Sequence, residues 1–255
     1  MKIRVSLVRF RPWAPFSEMT LSATVTGRVR VSLCWRAGRV RLLELKGVSK
    51  NYALKRVLDD ASLTFAPGLN LLVGPSGAGK TTLLRLLATA GRPGKGSVTW
   101  KGGAGRRALR KTLGYAPQAV DLPDDLTARE FAMHMAALKG LKLEQADQQF
   151  QAITAAIGLH DDINRRIASF SGGMRRRLIF AQALLGEPEL LALDEPTAEL
   201  DSETAGKVTG LILERAKRSV VVMTTHLAEG LRPHAASVLR VEAGQVTPQA
   251  LELSP

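Results

Sequence analysis

The sequence predicts an α/β fold in which a parallel sheet delivers a phosphate-binding loop and several polar side chains to one edge. Three observations predict it. An apolar run, Leu71-Leu72-Val73, leads into Gly74-Pro75-Ser76-Gly77-Ala78-Gly79-Lys80-Thr81-Thr82, after which apolar residues recur at helical spacing through Leu87. Two further apolar runs of strand length occupy 190–193 and 220–223, and each ends at polar residues, Asp194-Glu195 and Thr224-Thr225-His226. Helical patterns lie between these runs, the alternation expected of strands joined by crossover helices.

The first run fits G-x-x-x-x-G-K-[ST], the phosphate-binding P-loop. Its glycines let backbone N–H groups turn inward around an anion with no Cβ in the way. The helix that follows adds the partial positive charge of its N-terminus. Lys80 has the length to reach β- and γ-phosphates, and the Thr81 hydroxyl can ligate Mg²⁺. Polar groups at the ends of parallel strands share the edge where ligands bind, which brings Lys80, Gln118, Asp194, Glu195 and His226 to one place.

Upstream, Leu43-Glu44-Leu45-Lys46-Gly47-Val48 alternates as an amphipathic strand, Tyr52 follows in a short polar loop, and 57–65 continues the strand pattern. Pro67-Gly68 is a turn. A short strand over 97–100 lies between Gly-rich turns, and 113–118 is another, ending at Gln118. Thr127-Ala128-Arg129-Glu130 matches a capping box, with Phe131, Met135 and Leu138 as the apolar face of the helix it opens. A second helix is expected over 144–158 on Phe150, Ile153 and Ile157. A third begins at Ser171-Gly172-Gly173, with Met174, Leu178, Ala181 and Leu185 as its stripe. Arg175-Arg176-Arg177 is expected to be a solvated face with one or two arginines turned to a partner. A helix after Asp201 and a terminal hairpin around Gly244 complete the pattern.

Composition narrows the classes. With 45% hydrophobic residues in 255, a sizeable core is available, and no apolar stretch approaches the ~18–20 residues of a membrane span, so a membrane role is expected to come through a partner. The lone Cys34 forms no internal disulfide, and a reducing compartment is expected. The net charge of +13 is uneven: residues 1–41 hold nine Lys/Arg against Glu18, leaving 27 basic and 22 acidic side chains in 42–255. The high pI therefore makes no strong case for nucleic acid, and none is expected as a partner. Arg4 and Arg9 interrupt any signal-peptide core. Residues 1–41 are expected to be a basic extension outside the fold, read as translation from a start codon placed too far upstream; a basic arm for RNA or for an anionic membrane surface are the rival readings.

From about 42 to 246 the chain resembles the nucleotide-binding subunits of ABC transporters. Five elements stand in that family's order: the loop at 74–82, Gln118, Ser171-Gly172-Gly173, Asp194-Glu195 and His226, with Tyr52 upstream where the family places an aromatic for adenine. The resemblance implies a P-loop NTPase with a RecA-like core, a small antiparallel β subdomain and an inserted α-helical subdomain at about 119–186. It implies ATP and Mg²⁺ as cofactors, held by residues 74–82 with Thr81, Gln118 and Asp194 at the metal. It implies Glu195 as the base that polarises the attacking water, His226 at the γ-phosphate, and Ser171-Gly172-Gly173 capping the γ-phosphate of a second subunit, with Asp201 at the same seam. The implied partners are a second ATP-binding subunit, identical or not, and an integral membrane permease, placing the chain peripherally at the cytoplasmic face of a membrane.

Three residues depart from the family's pattern: Met174 where Gln is common, Glu199 where a small residue is usual, and Phe170 where Leu is common. The run Met174-Arg175-Arg176-Arg177 resembles the drug and polysaccharide exporter branch. Two other functions stay open: a soluble ABC ATPase acting on nucleic acid or ribosomes, and a catalytically idle partner in a heterodimer.

Overall fold

A computed structural model describes residues 43–53, 55–103, 106–226 and 228–250. The expectations for residues 1–41, and for Cys34 among them, lie outside the described residues.

Two sheets organise the described chain. An antiparallel one contains β1 (Leu43–Tyr52), β2 (Lys55–Phe65) and β4 (Lys95–Trp100), in the order β2-β1-β4. The larger contains β3 (Gly68–Val73), β5 (Leu113–Ala116), β6 (Leu190–Asp194), β7 (Val220–Thr224), β8 (Ala235–Glu242) and β9 (Gln245–Gln249), in the order β5-β6-β7-β3-β8-β9. All its neighbours run parallel except the terminal β8–β9 hairpin. The central strands read as apolar runs because both faces are covered, with Asn70 of β3 as a buried, hydrogen-bonded exception. Leu190 and Ala192 of β6 face one core with α1 (Lys80–Leu87) and the antiparallel sheet. Leu191 and Leu193 face the other, with α5 (Gly172–Leu184) and α6 (Ser202–Ala216).

Between β5 and β6 the chain forms α3 (Ala128–Lys139), α4 (Leu143–Ala156) and α5. The capping box at α3 is formed: Glu130 N–H donates to Thr127 Oγ1 (3.2 Å) and Thr127 N–H donates to Glu130 Oε2 (2.8 Å). The face of α3 is only in part the one the sequence pattern suggested: Phe131 packs, partly buried, against the core. Ala128, Ala132 and Ala136 are fully buried, whereas Leu138 is 81% exposed. Small side chains let α3 approach its neighbours closely, and the larger residues are displaced to the flanks. On α4, Phe150, Ile153 and Ile157 are buried as expected. The helical lobe is also seated closely on the sheet: a Cβ at Gly114 of β5 would lie 2.1 Å from the Ala183 carbonyl oxygen of α5.

A short helix, α2 (Arg106–Lys111), was not anticipated; its one buried residue, Leu109, leaves no period to read.

Candidate functional site

The end of β3 turns sharply into α1. Gly74, Gly77 and Gly79 take φ of +138°, +72° and +109°. Two of them also need the space: a Cβ at Gly74 would stand 2.1 Å from the Val241 carbonyl oxygen, and one at Gly79 would stand 2.9 Å from Val57. Gly79 is the N-cap of α1 and brings no side chain to its first-turn N–H groups, so those donors face the concavity of the loop. Lys80 Nζ lies back across the loop, donating to the carbonyls of Gly74 (2.8 Å) and Pro75 (2.9 Å).

A cleft of about 370 Å³ opens there. It is lined by loop residues between 76 and 82, by Val57, and by Gln118, Glu195 and His226. Three strand ends thus supply one cluster. Gln118 Nε2 donates to Glu195 Oε2 (3.3 Å), and His226 Nε2 lies 2.9 Å from Glu195 Oε1. A carboxylate only accepts, so His226 Nε2 carries a proton in this arrangement. Glu195 is largely shielded while His226 is mostly exposed.

Beneath the cluster, Asp194 is 3% exposed. Its register partner on β7, Thr224, donates Oγ1–H to Asp194 Oδ1 (2.6 Å) and accepts from the Glu195 N–H (2.9 Å). Asp194 Oδ2 is buried with no hydrogen-bond partner. Burial, then the charge of Asp194, pushes the Tyr115 phenol above its usual range. An orphaned, buried carboxylate oxygen is a donor of the kind a hard divalent cation takes. Among the described residues no three His, Cys, Asp or Glu side chains form a metal cluster.

Not all the expected site residues meet here. Tyr52 ends β1 as a 48% exposed ring with Lys50 Nζ 5.2 Å from its centroid, and it does not line the cleft. Ser171, Gly172 and Gly173 start α5 outside that lining, with Ser171 Oγ accepting from the Met174 N–H (3.2 Å). Asp201 is the N-cap of α6, accepting from the Thr204 N–H (2.9 Å), and this bond holds its carboxyl below the usual range.

The arginine run of α5 is not a solvated face. Arg175 donates to Asp124 (2.8 Å), Arg177 to the carbonyls of Ile157 and Gly158, and Arg176 to the Glu195 carbonyl (3.3 Å) while pairing with Glu199 (3.2 Å). These ties, Val57 and the double role of Thr224 were missed; each depends on partners distant in sequence, and no local spacing announces them.

Fold and site together define a P-loop nucleotide-binding protein. A profile of the ABC transporter family matches residues 58–198, and the chain belongs to that family. It is 34% identical over 196 residues to the Nod factor export ATP-binding protein I of a Rhizobium species, covering 73% of this chain and 63% of that protein. It is 34% identical over 176 residues to the uncharacterized ABC transporter ATP-binding protein YxlF of Bacillus subtilis, covering 69% and 59%. The chain therefore spans about three fifths of the length of these curated relatives. A solved ATP-binding subunit of an ABC transporter superposes with a TM-score of 0.75 at 25% identity, over 83% of this chain and 90% of that one. The dimeric cassette MJ0796, bound to ADP and Pi, shares the fold, with a TM-score of 0.72 at 24% identity over 83% and 99%.

Proposed function

We propose that this chain binds and hydrolyses ATP as one half of a head-to-tail dimer and thereby drives a separate membrane permease. The observation that carries the reading is the grip of Gln118 and His226 on the two oxygens of Glu195 at the mouth of the phosphate loop. In this reading Lys80 leaves the loop carbonyls for the β- and γ-phosphates, and residues 74–82 cradle them. Thr81, Gln118 and Asp194 hold Mg²⁺, which when bound neutralises phosphate charge. Glu195 accepts a proton from the water that attacks the γ-phosphorus, yielding ADP and phosphate, and His226 orients Glu195 and touches the γ-phosphate. Tyr52 stacks on adenine. Ser171, Gly172 and Gly173 cap the γ-phosphate bound to the second subunit, identical or not, with Asp201 at that seam.

Among the described residues no helix is long and apolar enough to cross a membrane. Our reading places the chain peripherally at the cytoplasmic face, bound through the helical lobe at about 119–186. The name of the Rhizobium relative speaks of export, and export is the direction we assign; the cargo is set by the permease. Residues 42–255 form the ATPase domain in this reading, and 1–41 an extension outside it.

Glu195→Gln tests the reading. ATP binding should persist while kcat falls by about 10²–10⁴, the usual contribution of a positioned acid–base group. Near wild-type turnover would remove Glu195 from that role. Turnover that requires RNA or DNA would instead favour a soluble ATPase of nucleic acid.

A further inference from the structure

Arg176 leaves α5 and reaches the catalytic turn. One nitrogen, Nη1, donates to the Glu195 main-chain oxygen at 3.3 Å; the other, Nη2, stands 3.2 Å from Glu199 Oε1. Its side chain is only 14% exposed, against 69% for Glu199. A planar fork with fixed donor spacing can hold two acceptors at once, which a single ammonium cannot.

The segment it holds is strained at both ends. Glu195 has φ +50° and Glu199 φ +62°, the left-handed region that favours glycine. Such conformations persist where surroundings over-determine them. The Glu195 N–H is already held from β7, by Thr224. Its carbonyl accepts from the Ala198 N–H of the same turn (3.2 Å) and, from α5, from Arg176. The residue that carries the base is therefore held through its N–H by the sheet and through its carbonyl by the helical lobe. The 199–200 stretch also lies against the first turn of α5: a Cβ at Gly172 would be 3.7 Å from Glu199 Oε2, and one at Gly173 would be 3.7 Å from the Glu199 carbonyl oxygen.

We propose that Arg176 is a positioning residue that fastens the Ser171-Gly172-Gly173 turn to the backbone of Glu195, with Glu199 as the counter-charge that holds its fork in place. The inference rests on the proposed function, in which that turn serves a neighbouring subunit's nucleotide while Glu195 serves this subunit's own. It assigns a purpose to the Glu at 199. A glycine there would suit the left-handed backbone better, but would leave the guanidinium without an acidic partner. A displacement of α5 pulls directly on the carbonyl of Glu195, so the two ends of the catalytic apparatus move as one body.

Three variants, assayed as full-length chains with MgATP, test this. Arg176→Lys keeps the charge but cannot span both acceptors, Arg176→Met keeps bulk without donors, and Glu199→Gln keeps the shape of the counter-ion without its charge. Misplacing a reacting group by about 1 Å can cost about 10²-fold. Arg176→Met should accordingly lose about 10- to 100-fold in kcat with KM for MgATP and ATP affinity close to wild type. Arg176→Lys should fall nearly as far at an unchanged melting temperature, and Glu199→Gln by a smaller factor, since the bond to the carbonyl survives. A general structural role would move KM, affinity and melting temperature together, and that pattern would overturn the proposal. Turnover of both Arg176 variants equal to wild type would overturn it while leaving the proposed function intact. A wild-type chain that binds ATP with no hydrolysis, even with its membrane partner, would overturn both.

Discussion

Two helices of this molecule begin at glycines, and they begin differently. α1 starts behind a left-handed glycine with no capping side chain, and Gln118, Glu195 and His226 gather around its first residue, Lys80, from the ends of separate strands. α5 starts at Ser171, whose hydroxyl already caps the Met174 N–H, and neither Ser171 nor the two glycines line the cleft. Both starts offer a positive helix end. Only the first is surrounded by groups able to act on what binds. The difference teaches that the same backbone device serves once as a complete site and once, on our reading, as half of a site completed by another subunit.

That contrast can be broken at either end. The largest effect is expected at α1. Lys80→Ala removes the principal cation of the loop, and nucleotide binding measured by calorimetry should be lost, or turnover should fall by at least about 10²–10³-fold. Retained tight binding with normal turnover would dissolve the distinction between the two helices. At α5, Ser171→Arg in a Glu195→Gln background should leave binding of ATP to one chain intact and abolish ATP-dependent dimerisation in light scattering. The lost cap should cost about 1 kcal/mol in stability. Dimers of undiminished affinity would mean that the turn does not face a second nucleotide.

The smallest effect concerns the other end of α5, which is sealed from within. Lys139 Nζ donates to the carbonyls of Leu185 (3.1 Å) and Gln182 (3.5 Å), and burial lowers its pKa from 10.5 to about 8. The unfolded chain therefore binds more protons than the folded one between about 8 and 10.5, and stability rises with pH in that window. Comparing wild type with Lys139→Met by chemical denaturation isolates the group. Wild type should gain on the variant as pH climbs from about 8 toward 10.5 and show no such trend below 8. A flat difference would mean that Lys139 is not buried as a cation.

Much of this arrangement could be read from residues alone, for identifiable reasons. β3, β6 and β7 are buried on both faces and so run almost wholly apolar, broken by the buried Asn70 in β3, and the polar residues that end these runs, or follow them, mark the ligand edge. That argument brings Gln118, Glu195 and His226 to one edge, and the family resemblance points the same way. The packed face of α3 misled because alanines carry its closest contact, and a search for large apolar residues picks Leu138 instead. The destinations of Arg175, Arg176 and Arg177 could not be read, because a charge triplet on a helix looks the same whether its partners are solvent or remote carbonyls. Tyr52 fits its expected place in chain order, yet it stays outside the cleft lining.

The Thr224 hydroxyl has a single proton, and it gives that proton to Asp194 Oδ1 while its lone pair receives the Glu195 N–H. One oxygen atom thereby sorts the two faces of the neighbouring carboxylate, marking which is spoken for and which stays bare. A methyl in its place would erase that label without altering the size of the side chain. The polarity of this one carboxylate is thus written by the alignment of two adjacent strands, β6 and β7.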